Sequence, residues 1–98
     1  METLLGFIGL GSIGLPIAAN LVSAGFKLQV HNRSRKAEND YRLIGSKPLP
    51  SPFEAAYGCE ILFICVSDDE AVEDVLFSSK GSFKALKSGS KVIDLSTI

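Results

Sequence analysis

Apolar side chains in this chain come in short runs, and the spacing within them changes abruptly from one run to the next. Residues 4–9, LLGFIG, are continuously apolar and end in glycine, which reads as a strand running into a turn. From Ser12 the period lengthens. Ile13, Ile17 and Leu21 recur at i, i+4 and i+8, Pro16 falls in the first turn where an N–H has no intrahelical partner, and Gly25 ends the helix. KLQVHN, residues 27–32, then alternates with Leu28 and Val30 on one face, giving a second strand reached through a helical crossover.

A helix is expected from about Ser34 to Leu43. The prolines of GSKPLPSP then leave room only for a short third strand near Lys47. SPFEAAYG reads as a brief helix with Ser51 as cap and Pro52 at its first position. EILFICV, residues 60–66, is apolar on both faces, as a central parallel strand covered by helices must be. DDEAVEDVL behind it is a helix, with Asp68 and Asp69 as its cap and first-turn charges. After Gly81 the short amphipathic piece SFKALKSG leads into KVIDLS, a fifth apolar strand.

Alternating strands and helices at this spacing predict an α/β fold, a Rossmann-type doubly wound parallel sheet in the order 3-2-1-4-5. Residues 1–98 form a single domain on this reading, without internal repeat or linker. Right-handed crossovers put the first strand at the centre. Ligands of such sheets lie at the carboxyl ends of the strands, beside the switch in strand order.

The first loop stands there. Gly9, Gly11 and Gly14 form G-x-G-x-x-G between a predicted strand and a predicted helix, with Leu10, Ser12 and Ile13 between them. Gly9 allows the tight turn, Gly11 the close approach of a pyrophosphate and Gly14 the packing of helix on strand. The N–H groups of Ser12 and Ile13 at the helix start are then candidates to hold phosphate charge. A plain turn between strand and helix is the alternative.

The second strand ends in HNRS, residues 31–34, where NAD binders usually carry a carboxylate for the adenosine ribose. Asn32 has no such charge, Arg33 offers a planar guanidinium to a 2′-phosphate, Ser34 adds a hydroxyl, and Arg35 and Lys36 add positive charge. NADP is therefore the expected cofactor in preference to NAD, with a solvated basic loop as the alternative.

Net charge is −1 and, apart from this cluster, the basic residues are scattered, which argues against a nucleic-acid partner. Cys59, Cys65 and the lone His31 do not make a metal set. No apolar run is long enough to span a bilayer, and the start lacks the basic region of a signal peptide, so a cytoplasmic protein with a small-molecule partner is expected.

GFIGLGSIGLPIAANLVSAG, VHNRS, EILFICVSDDEAVEDVLF and KVIDLSTI together resemble the N-terminal domain of the β-hydroxyacid dehydrogenases. That group contains 3-hydroxyisobutyrate dehydrogenase, tartronate semialdehyde reductase and the glyoxylate/succinic semialdehyde reductases. The resemblance covers the whole chain, departing where Ile13 and Ile17 replace the family's usual Met. It implies hydride transfer between NADP(H) and a small hydroxyacid or semialdehyde. Val66, Ser67 and Thr97 would line the nicotinamide, and Ser96 would bond the substrate's carboxylate end. Without the resemblance, Ser96 and Thr97 read as a cap after a strand. It further implies a catalytic lysine and a helical C-terminal domain that makes a homo-oligomer, neither of them within these 98 residues. No residue present is assigned the catalytic role. The chain alone is expected to be inactive, and a stand-alone, non-catalytic dinucleotide-binding module is the alternative.

Overall fold

The structure, a computed structural model, describes residues 3–96. Strands β1 (Leu4–Ile8), β2 (Lys27–His31), β3 (Lys47–Pro48), β4 (Ile61–Ile64) and β5 (Lys91–Asp94) form one parallel sheet in the order β3-β2-β1-β4-β5. The expected doubly wound topology is present. Helices α1 (Gly14–Ser23), α2 (Pro52–Ala56) and α3 (Asp69–Phe77) supply crossovers. None of the helices among the described residues is long and apolar enough to cross a membrane.

Successive side chains of a strand point to opposite faces, so the sheet has two cores. On the α1 side, Leu5 and Phe7 pack with Leu28, Val30, Ala18 and Leu43, and the ring of Phe63 stacks on Phe7 with centroids 5.7 Å apart. On the other side Ile8, Leu62 and Ile64 meet Ala55 and Ala56 of α2, Cys59 and Val75 of α3. Gln29 points to this second side too. Its amide donates to the carbonyls of Ala55 (2.9 Å) and Tyr57 (3.0 Å), tying the end of α2 to β2.

The buried face of α1 differs from the expected stripe. Gly14, Ala18 and Ala19 are buried, Ile17 and Leu21 are half-buried, and Ile13 is 49% exposed. The cause is proximity, because a Cβ on Gly14 would collide with the carbonyl oxygen of Gly9. Only glycine fits where the helix begins against the turn after β1, while Leu15, Ile17, Leu21 and Val22 pack, partly buried, around Ala18. Gly25 ends α1 as expected. It adopts φ +93°, its N–H donates to Val22 O (3.0 Å), and Phe26 N–H donates to Leu21 O (3.2 Å), a Schellman closure.

A second difference lies between β2 and β3, where the expected helix over 34–43 is two short 3-10 turns, Arg35–Asn39 and Tyr41–Leu43. Asp40 separates them in an extended conformation, and its carboxylate accepts from Arg42 N–H (2.9 Å) and Arg42 Nε (3.0 Å). The side chain thus supplies the bond that a continuous helix would have needed from the backbone. That hydrogen bond from Arg42 also lowers the pKa of Asp40 below its ordinary value. SFKALKSG likewise forms only one 3-10 turn, Phe83–Ala85. β5 is an edge strand, and all four of its residues are exposed.

Gly6 was not singled out by the sequence pattern, yet a Cβ there would lie 2.7 Å from the Ala55 carbonyl oxygen and 2.9 Å from Leu62 Cδ1. Gly6→Ala is therefore expected to lower stability by about 1–3 kcal/mol through overpacking between β1 and α2. Gly11, beside which a Cβ meets nothing within 4 Å, should accept alanine within about 0.5 kcal/mol. Urea unfolding of the two variants checks both values, and equal effects would contradict the packing described.

Candidate functional site

Parallel register brings the carboxyl ends of the strands into one row. Ile8 stands opposite both His31 and Ile64, and Ile64 opposite Asp94. One residue further, Gly9 N–H donates to His31 O (3.0 Å), Cys65 N–H to Ile8 O (2.8 Å) and Leu95 N–H to Ile64 O (2.7 Å). Beyond that row the chains part and leave a cleft of about 700 Å³. It lies where an open α/β sheet is expected to bind ligands.

Gly9, Gly11, Asn32, Arg33, Val66 and Ser67, all anticipated, line this cleft. Gly9 has φ +103°, and a Cβ on it would collide with the Cys65 carbonyl oxygen. Gly11 opens onto free space on its Cβ side, which is what close approach of a bulky anion requires. Ser12 and Ile13 are exposed at the start of α1. That start has neither a side-chain cap nor an acidic residue in its first turn, whereas Ser51 caps α2 and Asp68 caps α3, each followed by acids. Leu15 N–H donates to Gly11 O (3.0 Å) and Pro16 has no N–H, so the N–H groups of Ser12, Ile13 and Gly14 are the ones left for a ligand.

Other candidates take structural parts. Leu10 is buried, and its N–H donates to Asn32 Oδ1 (2.7 Å). Asn32 Nδ2 in turn donates to the Ser34 carbonyl (2.8 Å). The Asn32 side chain therefore fastens the glycine loop to the end of β2. Gly14 lies buried against Gly9, and the Ser34 side chain is exposed. Ser96 Oγ accepts from Val66 N–H (2.9 Å), and Ser96 N–H donates to Asp94 Oδ1 (2.9 Å), linking the ends of β4 and β5. Thr97 lies outside the described residues.

Positive charge gathers on the β2 side. Arg33 is almost fully exposed and stands 3.8 Å from Asp74, itself well exposed, a distance at which water screens the pair and leaves the guanidinium free for another anion. Arg35 also lines the cleft, with its Nε held by Glu38. His31 is buried with Nδ1 2.9 Å from the Leu49 carbonyl, which can only accept, so Nδ1 is the protonated nitrogen. Burial pushes the Cys65 thiol above its ordinary pKa and Asp94 adds to the rise, which removes it as a thiolate nucleophile at neutral pH.

Several lining residues have no signature in the sequence. Pro50 and Ser51 come from the loop before α2, Ala71 and Asp74 from α3, and Ser78 and Lys80 from the turn after it. Lys80 reaches the cleft because its carbonyl accepts from Phe53 N–H (2.9 Å), a contact between distant segments. Glu38, buried among polar partners, was likewise read only as part of a helix.

Over residues 4–98 the chain matches the family described as the NAD-binding domain of 6-phosphogluconate dehydrogenase. It is 33% identical over 94 residues to glyoxylate/succinic semialdehyde reductase 2, chloroplastic, of Arabidopsis thaliana, covering 96% of this chain and 26% of that one. Among solved structures it resembles Psf3 in complex with NADP+ and 2-OPP, with a TM-score of 0.86 and 36% identity over 96% of this chain and 34% of that one. It also resembles Mycobacterium tuberculosis 3-hydroxyisobutyrate dehydrogenase, with a TM-score of 0.87 and 28% identity over 100% of this chain and 33% of that one. The chain thus spans about a third or less of the length of these relatives.

The bond from Leu10 N–H to Asn32 Oδ1 joins a buried backbone donor to one side chain, so Asn32→Ala leaves that donor unsatisfied. The expected loss is about 1–3 kcal/mol of stability, with faster hydrogen exchange at the Leu10 amide. Unchanged exchange there would show that the glycine loop is held by something else.

Proposed function

This chain belongs to the family of the NAD-binding domain of 6-phosphogluconate dehydrogenase, and we propose that it is the NADP(H)-binding domain of a β-hydroxyacid dehydrogenase-like oxidoreductase. Such a protein moves hydride between NADP(H) and a small hydroxyacid or semialdehyde. The observation that carries the proposal is the cleft at the strand ends, lined by Gly9 and Gly11 from the glycine loop and by Arg33 and Arg35 from the loop after β2. At the end of β2 stands an amide, Asn32, that accepts from Leu10.

Residues 9–14 receive the pyrophosphate, whose charge is met by the uncapped N-terminus of α1. Arg33, Ser34 and Arg35 meet the 2′-phosphate, for which a guanidinium supplies paired donors. The nicotinamide supplies the hydride, and Val66, Ser67 and Thr97 are the residues of this chain assigned to its side of the cleft. Ser96 is assigned to the substrate's carboxylate end. Its Oγ accepts from Val66 N–H, so its own proton remains to donate.

The relative named for glyoxylate and succinic semialdehyde, and the structure holding NADP+, support this cofactor and substrate class. On the same reading the protein works in the cytosol, on a small molecule rather than a nucleic acid or a membrane. It assembles as a homo-oligomer through a helical domain of the kind the resemblance implies.

Charge reversal at Arg33 tests the cofactor. Arg33→Glu should weaken NADPH by roughly 2–3 kcal/mol, the range for loss of a charge-assisted pair, and NADH by much less, as read by calorimetric titration. Equal losses would refute the assignment. In Gly11→Val a branched side chain fills the space that the pyrophosphate needs. Binding of either dinucleotide should vanish while the circular dichroism spectrum stays that of the parent, and retained affinity would make the glycines merely a turn.

A further inference from the structure

Glu38 carries one of the few charged side chains in this fold that is almost wholly buried, with 2% of the side chain exposed. Its carboxylate stands beside the end of β2, the position from which an NAD site reads the ribose. Both oxygens are already engaged. Oε2 accepts from the Asn32 backbone N–H (2.9 Å), and Arg35 Nε approaches Oε1 at 2.6 Å and Oε2 at 2.7 Å. His31 Nδ1 is 3.7 Å from Oε2, but it is bonded to the Leu49 carbonyl. A buried carboxylate needs such partners to remain charged.

The bonds continue outward in both directions. Arg35, held at Nε, keeps its two terminal nitrogens for the cleft that it lines. Asn32, held at its backbone, presents Oδ1 to Leu10 in the glycine loop. One carboxylate thus joins a cleft-lining guanidinium to the loop assigned to the pyrophosphate.

We propose that Glu38 is a positioning residue that sets the preference for a 2′-phosphorylated dinucleotide, by pinning Arg35 toward the 2′-phosphate and Asn32 toward the glycine loop. It rests on the NADP(H) reading above and adds the source of its selectivity. A carboxylate committed to Arg35 and Asn32 is withdrawn from the ribose hydroxyls and neutralised toward a phosphate. The same group that would specify NAD if free supports NADP when clamped.

The test titrates NADPH and NADH calorimetrically into the parent chain and its variants. Glu38→Gln keeps an acceptor for Asn32 N–H but loses the charge that pins Arg35. It should weaken NADPH about tenfold or more and NADH less than about threefold, as expected for loss of one charge-assisted bond. Glu38→Ala, which also frees Asn32, should weaken both dinucleotides. Arg35→Lys keeps the charge but lacks the Nε–H, so it should reproduce the selectivity loss of Glu38→Gln, and the double variant should lose little more. Glu38→Gln, which keeps the size and shape of the side chain, carries the test by itself if Glu38→Ala fails to fold. A preference for NADPH that survives Glu38→Gln and Arg35→Lys overturns the proposal alone. NADH weakened as much as NADPH by Glu38→Gln would also overturn it, marking Glu38 as a reader of the ribose. A parent chain that binds neither dinucleotide, or prefers NADH, overturns the NADP(H) reading and this proposal with it.

Discussion

The close backbone contact at the first turn is the constraint on which the rest depends. Gly9 presses against the Cys65 carbonyl and Gly14 against the carbonyl of Gly9, so strand, turn and helix meet with no side chain between them. This contact sets the start of α1 against the turn after β1, and Gly14, Ala18 and Ala19 are the buried residues of the helix. It also sets the uncapped helix start beside the strand ends, where Gly9 and Gly11 line the cleft. Packing and binding geometry share one cause here, because the glycines that let the helix approach the sheet also leave its backbone bare to a ligand.

A second layer of order is polar. Among the described residues no buried side-chain nitrogen or oxygen lacks a hydrogen-bond partner, and near the cleft those partners form a continuous path. Arg35 bonds Glu38, Glu38 bonds the Asn32 backbone, and the Asn32 side chain bonds Leu10. The loop after β2 is made of 3-10 turns with few apolar anchors, of which Leu43 is the buried one. Hydrogen bonds to a buried carboxylate do there what a packed helix would do elsewhere. On the opposite edge Ser96 plays a comparable part, joining the ends of β4 and β5 through Val66 N–H.

Contrast among the helix starts sharpens the chemistry. Ser51 and Asp68 give α2 and α3 the oxygen acceptors that their first N–H groups need, and acidic residues in the first turns complement the helix dipoles. At α1 neither is present. A start with neither side-chain cap nor first-turn acid beside an open cleft suits an anionic ligand, and the family to which the chain belongs is one of NAD-binding domains.

Sequence alone determined the five strands, their order and the three helices α1, α2 and α3, because these depend on local period. Continuous apolar runs became β1 and β4, alternation became β2, and the G-x-G-x-x-G spacing marked the turn between β1 and α1. The Ser51 and Asp68 caps and the Gly25 stop were legible for the same reason, each being a bond or a backbone conformation within a few residues. What the tertiary structure decided was everything that depends on distance between segments. The buried residues of α1 are Gly14, Ala18 and Ala19 rather than the larger aliphatics, and at Gly14 the cause is the Gly9 carbonyl pressed against it. The helix expected over 34–43 gave way to two turns at Asp40. Gly6 gained its importance from Ala55, and Lys80 reached the cleft through Phe53. Glu38 lies within that expected helix, and only the fold brings it under Asn32 and Arg35. Periodicity reports which side of an element is apolar, but the partner that a buried polar group meets is set by how separate elements pack, and no local pattern encodes that meeting.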